Sequence, residues 1–336
     1  MMNNKSQVLM ISLWLLAILT VLAVGIGHRV AMSLRISRYR QNTLKASYLA
    51  KAAVNLAITE IEKAASSGSS SMKDQWANNE DLFKYITLSN NPREYAEVSY
   101  APGEDFGGRD KIYGAMDEER RININTASRY VLLELFSQCG TNAPEGLADN
   151  ILIWRGDAQD INKAYESLGY SPKGEDLVTI EELALVKDMP DDDFDKIKES
   201  ITVYGKSVNI NTASDNVLQT ILRSQVNFLN DNGVDDVTLT DADNLKQKII
   251  NKRNGPDAAL GTQDDSPFSN TSEIANSLEL NDKERQLLDQ SIQDGLIGTQ
   301  SRFIRIQAKG YANNRLSSMS IVYDRSSRKI ISWHEN

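Results

Sequence analysis

The stretch SQVLMISLWLLAILTVLAVGIG, residues 6–27, carries no charge and lies between Lys5 and the pair His28-Arg29. A membrane hydrocarbon core about 30 Å thick requires roughly 20 apolar residues in a helix, and this run has that length. A cleaved signal peptide has a shorter apolar region followed by a small-residue site, whereas a basic, helix-favouring segment follows here. We therefore predict a retained transmembrane helix, in preference to a signal peptide or a buried core helix.

The helix is expected to continue well beyond the membrane. Residues 30–65 contain neither Pro nor Gly, and apolar residues between Leu44 and Leu56 recur at helical spacing. At about 1.5 Å per residue, a helix over residues 8–64 would form a rod on the order of 85 Å long. The serine-rich run SSGSSS, residues 66–71, is expected to end it.

Charge is unevenly distributed along the chain. Residues 1–45 contain six basic and no acidic side chains, and the remainder contains 31 basic and 46 acidic ones, a net charge of −15. An acidic body repels nucleic acid and anionic lipid and suits divalent cations. Five of the six basic residues follow the apolar run, so the positive-inside rule places the bulk of the chain in the cytoplasm. Cys139 is the single cysteine, so no disulfide can form within the chain, and its apolar helical context predicts a buried thiol.

Strand patterns occur on both sides of a helical block. Residues 94–101 alternate like a strand, a short candidate follows at 111–114, and residues 302–312, 317–324 and 329–335 indicate an antiparallel meander. Helical patterns dominate between residues 126 and 295, and the run Asp191-Asp192-Asp193 is expected to start a helix, where negative charge suits the dipole. The pattern predicts an α+β protein.

The helical block contains an internal repeat. RININTASRYVLLELF (121–136) and SVNINTASDNVLQTIL (207–222) share NINTAS, and each is followed by an Ile-rich segment ending in Arg, ILIWR (151–155) and KIINKR (248–253). Two copies of one folding unit are predicted. Each NINTAS should form a short strand and then a helix, whose first turn is capped by Asn125 or Thr126 and by Asn211 or Thr212. We interpret the motif as a structural corner and not as a binding site.

The repeat resembles two kinds of protein. NINTA, an apolar helix, an Ile-x-x-x-Arg segment and TIEELALV (179–186) resemble the helix-hairpin-helix modules of competence-type DNA-binding proteins. They also resemble the helical domain of the type II secretion minor pseudopilin, general secretion pathway protein K. The segments 137–140 (SQCG) and 224–226 (SQV) lack the Gly-rich hairpin that grips phosphate, and the domain is acidic. No nucleic-acid partner is therefore expected.

The resemblance to protein K extends over nearly the whole chain. The N-terminal run, SYLAKAAVNLAITEI (47–61), YGAMDEERRI (113–122), ITVYGKSVNINTAS (201–214) and the final strands ending near Trp333 follow the family's order and spacing. It implies a pilin-like fold, in which a long N-terminal transmembrane helix packs on an antiparallel sheet with a large inserted, duplicated helical domain of the SAM-like or helix-hairpin-helix-like kind. The expected parts are a leader (1–6), the helix (7–65), the first part of the pilin-like domain (66–120), the insert (121–295, with repeats 121–206 and 207–295) and the final strands (296–336).

The resemblance also implies a function and its partners. Members of this family lie at the tip of a periplasmic pseudopilus anchored in the bacterial inner membrane, where they start its assembly with minor pseudopilins I and J. A minor pilin of a type IV pilus is the alternative, although such pilins usually lack the duplicated block. The family places the basic segment that follows the apolar run in the periplasm, whereas the positive-inside rule places it in the cytoplasm. No enzymatic activity is expected, since the two histidines, His28 and His334, lie far from any triad-like pattern.

The resemblance also implies how the N-terminus is processed and which residue follows at the fifth mature position. Prepilin peptidase would cleave between Ser6 and Gln7, with methylation of the new terminus, although a glycine normally precedes the cleaved bond. The fifth mature residue would be Ile11, where other pilins carry the glutamate that pairs with a neighbouring amino terminus; protein K characteristically lacks it.

The loop NGPDAALGTQDDSPF (254–268) resembles calcium loops of pseudopilins. It offers carboxylates among turn-forming residues, and calcium prefers such hard oxygen ligands. The expected ligands are Asp257, Asp264 and Asp265 with the carbonyl of Leu260. A solvated acidic loop without metal is the alternative.

Overall fold

The computed structural model describes residues 4–64, 67–102, 109–159, 165–234 and 236–335. Its elements are, in chain order, α1 (Asn4–Lys63), α2 (Glu80–Phe83), β1 (Glu94–Tyr100), β2 (Ile112–Tyr113), β3 (Met116–Asp117), β4 (Ile122–Asn123), α3 (Arg129–Gln138), α4 (Pro144–Arg155), α5 (Asp191–Ile197), β5 (Ile201–Thr202), β6 (Val208–Asn209), α6 (Asp215–Asp231), α7 (Leu239–Asn254), α8 (Thr271–Ser277), α9 (Asp282–Gln293), β7 (Ile297–Gly298), β8 (Phe303–Ala312), β9 (Arg315–Asp324) and β10 (Lys329–Glu335).

The end of α1 packs against one antiparallel sheet. The strand order is β10-β9-β8-β1-β2, and β3 pairs with β8 beside this row. Small side chains on α1, among them Ala46, Ala50 and Ala57, are fully buried against the sheet. The helix comes so close to β8 that a Cβ atom on Gly310 would lie 2.0 Å from the Ala46 carbonyl oxygen. Only glycine fits there, so this close approach centres α1 over β8.

The helical insert consists of two units of the same design. In the first, β4 pairs in parallel with β5; in the second, β6 pairs in parallel with β7. Each unit thus begins and ends in a short parallel strand, with helices between them that share one apolar core. The predicted repeat is confirmed, but the predicted end of the second copy at residue 295 is too early, because its closing strand is β7 (Ile297–Gly298).

Most predicted elements appear where the sequence placed them. The long helix, the strand at 94–101, the three final strands and the helix that starts at Asp191 are all present. The β8–β9 hairpin turns at Asn313, whose φ of 56° is left-handed, a conformation that asparagine tolerates. The two-residue strands β3, β5 and β7 were not predicted, because segments this short show no periodicity.

Candidate functional site: stem, repeated corners and acidic loop

The N-terminal part of α1 forms an exposed stem, which the sheet domain reaches at Tyr39, where the Arg315 guanidinium lies 3.8 Å from the ring centroid. Residues 7–41 are exposed all around the helix. Gln7–Lys63 contains a window with a mean hydropathy of 2.6, long and apolar enough to cross a membrane. Ile11 is 59% exposed on this stem. Residues 1–3 of the predicted leader lie outside the described residues, and the Ser6-Gln7 bond lies within the helix, so cleavage there stays a prediction.

The helix caps after the two NINTAS motifs differ from the prediction. Helix α3 is capped by Ser128, whose hydroxyl accepts from the Val131 N–H at 3.3 Å, and α6 is capped in the same way by Ser214. The predicted caps at Asn125, Thr126, Asn211 and Thr212 are wrong. The chain turns earlier, within the motif, and only the final serine stands at the helix start.

Each motif makes its turn through its first asparagine. The Asn123 side-chain oxygen accepts from the Asn125 N–H at 2.8 Å, and the Asn209 oxygen accepts from the Asn211 N–H at 3.0 Å. Asparagine side chains commonly form this hydrogen bond with the backbone two residues further along the chain, and the bond produces a turn. The corner is therefore fixed two residues before the first predicted cap of each motif, Asn125 and Asn211.

The second asparagine of each motif holds a distant backbone segment. The Asn125 amide donates to the Leu177 carbonyl and accepts from the Leu177 N–H, both at 2.8 Å. Asn211 forms the same pair of bonds with Phe268, each at 2.9 Å. These paired bonds close each unit across more than 50 residues, and the NINTAS asparagines are structural clamps.

The arginine that follows each motif also has a structural role that the sequence did not reveal. Arg253 is buried and donates to the carbonyls of Ile210 and Ala213 at 2.8 and 2.7 Å. Arg155 donates to the equivalent carbonyls of the first motif, Ile124 and Ala127. A buried carbonyl without a donor is costly, so these guanidinium groups complete both corners. The recurrence of Ile-x-x-x-Arg was the signal that could have indicated this role.

The second motif docks the helical insert onto the sheet domain. The Asn209 amide donates to the Ser70 carbonyl at 3.0 Å, to Asp117 at 2.9 Å and to the Ser301 hydroxyl at 2.8 Å. The Thr212 hydroxyl also donates to Asp117, at 2.6 Å. Burial raises the pKa of this aspartate, although four hydrogen bonds oppose the shift. The junction is thus a buried polar cluster between the two domains.

Two neighbouring glutamates at this junction lie in opposite electrostatic environments. Burial, and then the nearby Asp117 carboxylate, raise the pKa of Glu119 to about 8. Burial would also raise the pKa of Glu118, but the charges of Arg305 and Arg121 outweigh it, so this pKa is lowered. Glu118 also accepts from the Thr202 hydroxyl at 2.6 Å. One carboxyl is therefore held in its neutral form and the other in its charged form.

The acidic loop at 254–268 is attached to the sheet domain by cations of the chain itself. The Leu260 carbonyl accepts from the Arg109 guanidinium. The Leu260 side chain is buried in the core beneath α1. Lys73 donates to the Gln263 and Asp265 carbonyls at 3.1 and 3.0 Å. The loop therefore connects the second helical unit to the sheet.

The structure brings the three predicted carboxylates of the calcium loop close together, because the Thr262 hydroxyl lies within 3.3 Å of both Asp264 and Asp265 and the Asp257 N–H donates to Asp264 at 3.1 Å. The Leu260 carbonyl faces a guanidinium, and the buried Asp265 carboxylate accepts from the Gly261 N–H at 2.7 Å. Asp257 and Asp264 are exposed, and the Thr262 hydroxyl donates to Asp264 at 2.6 Å and lowers its pKa. Within the described ranges, no three His, Cys, Asp or Glu side chains are arranged to hold a metal ion. The Leu260 carbonyl, which is bonded to Arg109, is therefore a wrong prediction as a ligand. Calcium binding by the three carboxylates stays a prediction.

Together, the stem, the sheet and the insert define a class of protein. A long N-terminal helix packed on an antiparallel sheet, with a duplicated helical insert between early and late strands, is a pilin-like fold that carries an extra domain. No family model matches the chain, and no curated protein matches it.

Among solved structures, the chain is similar to a chain of the crystal structure of the GspK-GspI-GspJ complex from the enterotoxigenic Escherichia coli Type 2 Secretion System. The TM-score is 0.62 and the sequence identity is 14%, over 89% of this chain and 99% of that chain. At this identity the likeness establishes the fold, and the prediction of a pilin-like fold with a helical insert, resembling protein K, is confirmed.

Proposed function

We propose that this chain is a minor pseudopilin of a type II secretion system. It is held in the bacterial inner membrane by α1, lies with its body in the periplasm, and initiates the pseudopilus at its tip with minor pseudopilins I and J. One observation carries the proposal: the match to a chain of the GspK-GspI-GspJ complex over 99% of that chain's length. It is supported by the sequence order that resembles protein K from the first helix to the last strand.

The structure of α1 suits a mechanical role. One uninterrupted helix joins the apolar span to the core of the sheet domain, where Ala46, Ala53 and Ile61 are fully buried. A helix fixed at one end in a packed core transmits a displacement along its axis to the whole body. The work proposed for this chain is to move as a unit from the membrane into a fibre, and it needs no turnover.

The position of the helical insert supports placement at the tip. Near the membrane side of the body, Lys45 pairs with Glu94 at 2.8 Å. At the far end of α1, Arg325 donates to the Ala64 carbonyl at 2.9 Å and to the Ser70 hydroxyl, the point where the insert is docked. The insert therefore extends the body at its membrane-distal end, where the next subunit of a fibre would otherwise lie. Ile11 in place of the usual pilin glutamate agrees with a subunit that has no neighbour of the ordinary kind.

A cleft between the sheet and the first helical unit provides no support for an enzyme. It has a volume of about 540 Å³ and includes the Glu118–Arg305 pair together with Ser332 and His334. The Ser332 hydroxyl lies 3.4 Å from the His334 Nδ1 atom, which is long for a hydrogen bond, and the pair is exposed on an edge strand. We propose a templating protein without catalytic activity.

The test is co-purification of the full chain, in detergent, with the I-type and J-type minor pseudopilins of the same bacterium. We expect one stable heterotrimer, and mass spectrometry of the chain from membranes should show a methylated N-terminus at Gln7. Failure to form any complex with either partner would overturn the proposed function. An uncleaved N-terminus would overturn only the proposal for prepilin peptidase.

A further inference from the structure

The stem of α1 is basic from the end of the apolar run onward. Four arginines in it are exposed: Arg29, Arg35, Arg38 and Arg40. The chain has no acidic residue before Glu60, so no carboxylate on the stem itself can neutralise them. Among the described residues, none of the four arginines forms an ion pair. The stem therefore presents positive charge that is available to an external anion.

The fold brings two more arginines to the same level of the helix. The turn between β8 and β9 touches α1, where the Asn313 amide donates to the Asn42 side-chain oxygen at 3.1 Å. Just after this turn, the Arg315 guanidinium lies on the Tyr39 ring, 3.8 Å from its centroid. The Arg93 carbonyl accepts from the Asn313 N–H at 2.9 Å, so Arg93 lies beside the same turn. Arginines far apart in the sequence therefore meet around one short section of α1.

We name these residues the arginine collar: Arg35, Arg38, Arg40, Arg93 and Arg315. At about 100° per residue, Arg38 and Arg40 lie on nearly opposite flanks of α1, whereas Arg93 and Arg315 belong to the sheet domain beside it. The collar thus carries positive charge in several directions around the stem, at the end of the body that is nearer to the membrane.

Two acidic groups of the adjoining part of the body are already paired with lysines. Glu94, next to Arg93 in the chain, lies 2.8 Å from Lys45, and Glu335 lies 3.7 Å from Lys51. These lysines offset the carboxylates closest in sequence or contact to this end of α1. The charge of the collar is therefore left for another molecule.

The apolar character of α1 continues past Gly27. Three apolar residues, VAM (30–32), follow the pair His28-Arg29. A span of roughly 20 residues ending at Ala31 fills a hydrocarbon core about 30 Å thick. Arg29 then lies only about 3 Å inside the edge of the core, and a long basic side chain can extend from there to the headgroups. This seating of the helix is compatible with its charges.

In this seating the collar lies next to the headgroup layer. Arg35 is about 6 Å beyond the hydrocarbon core, within a headgroup layer that is about 5–7 Å thick on each side. Arg38 and Arg40 are about 10–14 Å beyond the core, which is within about one Debye length of that layer. The Arg315–Tyr39 contact lies at the same level. Every part of the collar is therefore close enough to be attracted by charged headgroups.

Charge and geometry decide which lipid the collar distinguishes. Arginine binds phosphate through two parallel N–H···O bonds. A zwitterionic lipid such as phosphatidylcholine carries its own cation beside the phosphate, whereas phosphatidylglycerol leaves the phosphate charge uncompensated. The chain from residue 46 onward has a net charge of −15 and is repelled by an anionic surface, so attraction is confined to the basic end of the molecule. An anionic phospholipid is the complementary partner.

We propose that the arginine collar binds anionic phospholipid headgroups on the side of the membrane where the body lies. This inference rests on the proposed function in one respect, that α1 spans a membrane, and it adds the class of lipid that the chain binds. The collar loses these headgroups when the chain moves from the membrane into a fibre. Anionic lipids therefore oppose that step, and the assembly of the fibre has to overcome their binding.

The experiment is native mass spectrometry of the full chain, released from nanodiscs that contain equal amounts of phosphatidylglycerol and phosphatidylcholine, with no other pseudopilin present. The spectrum counts the lipids of each kind that stay bound. We expect phosphatidylglycerol to exceed phosphatidylcholine about fivefold or more, since each basic side chain near an anionic surface strengthens binding by roughly that factor. The preference should shrink at high ionic strength, because salt screens exposed charges.

Two variants test the two parts of the collar. Arg35→Gln/Arg38→Gln/Arg40→Gln removes the stem charges at exposed helix positions, where glutamine is about as good a helix former as arginine. Arg93→Gln/Arg315→Gln removes the charges that the sheet domain contributes. A matched control, Lys206→Gln/Arg285→Gln/Lys329→Gln, removes three exposed basic charges elsewhere in the body. Each collar variant should lower the lipid preference at least twofold, and the control should keep it.

The outcomes separate this inference from the proposed function. If cell fractionation recovers the chain in the soluble fraction and not in membranes, the proposed function fails and the inference fails with it. If the chain is in membranes but retains both lipids equally, the inference alone is overturned. A collar variant that keeps the full preference would also overturn it, as would an equal loss of preference in the control variant.

Discussion

The opposite environments of two adjacent glutamates predict opposite behaviour of two matched variants. Glu119 is 5% exposed and has a folded-state pKa of about 8, against 4.5 for the free side chain. Between these values the folded state binds more protons than the unfolded state, so the free energy of unfolding falls as the pH rises. Glu119→Gln cannot ionise and does not undergo this loss.

The magnitude follows from the two pKa values. Each unit of pKa difference corresponds to about 1.4 kcal/mol, so between about pH 5 and about pH 7.5 the wild type should lose about 3 kcal/mol relative to Glu119→Gln. The glutamine can still accept the Arg302 N–H that Glu119 accepts at 3.0 Å. We therefore expect the variant to be the more stable protein at the higher pH and closer to the wild type at the lower one.

The assay is urea unfolding of the full chain in detergent, followed by the fluorescence of the buried Trp76 and Trp154 at the two pH values. The control is Glu118→Gln, which removes a carboxylate whose lowered pKa reflects its pairing with Arg305. That stabilisation is present above the unfolded pKa and is lost only as the pH falls through the folded pKa. Glu118→Gln should be destabilised equally at both pH values. A Glu119→Gln difference that does not change with pH would refute the reasoning.

Three further outcomes are expected. Calcium should raise the melting temperature of the wild type but not that of Asp264→Ala/Asp265→Ala, and an equal rise in both would exclude these carboxylates as ligands. Ser214→Ala should cost about 1 kcal/mol in urea unfolding because it removes the α6 cap, whereas Thr126→Ala, at a predicted cap that caps nothing, should cost less. In intact spheroplasts, external protease should cut within residues 28–45 if the body is periplasmic; protection there, with cleavage after lysis, would favour the orientation given by the charge rule.

The elements with strong local patterns were predictable from the sequence. The apolar N-terminal run, the Pro-free and Gly-free continuation of α1 and the alternating strands β8 to β10 each extend over several residues, so their patterns are evident. The duplication was visible because NINTAS recurs with its neighbours. These features were enough to predict an α+β protein with a duplicated helical block, whereas the pilin-like arrangement was predicted from the resemblance to protein K.

The misplaced caps show where local reasoning fails. Asn, Thr and Ser in NINTAS are all good capping residues, and the sequence does not say which of them stands last before the helix. The choice is made by contacts far along the chain: Asn125 is bound to Leu177, and Arg155 to the Ala127 carbonyl. The Leu260 carbonyl was misassigned for the same reason, since its partner, Arg109, is 151 residues away.

The two NINTAS motifs also show why a repeated sequence does not imply a repeated function. Asn123 donates to the Gly205 carbonyl, within the segment that joins the two units, whereas Asn209, at the same place in the second motif, donates to three partners in and beside the sheet domain. The corner itself is identical in both, so the folding role of the motif is constant. What differs is the surface that each corner meets: the second unit is bonded directly to the sheet domain through its asparagine, and the equivalent asparagine of the first unit is bonded within the insert. The motif is therefore a device for building the insert, and its one docking role follows from position in the fold and not from its residues.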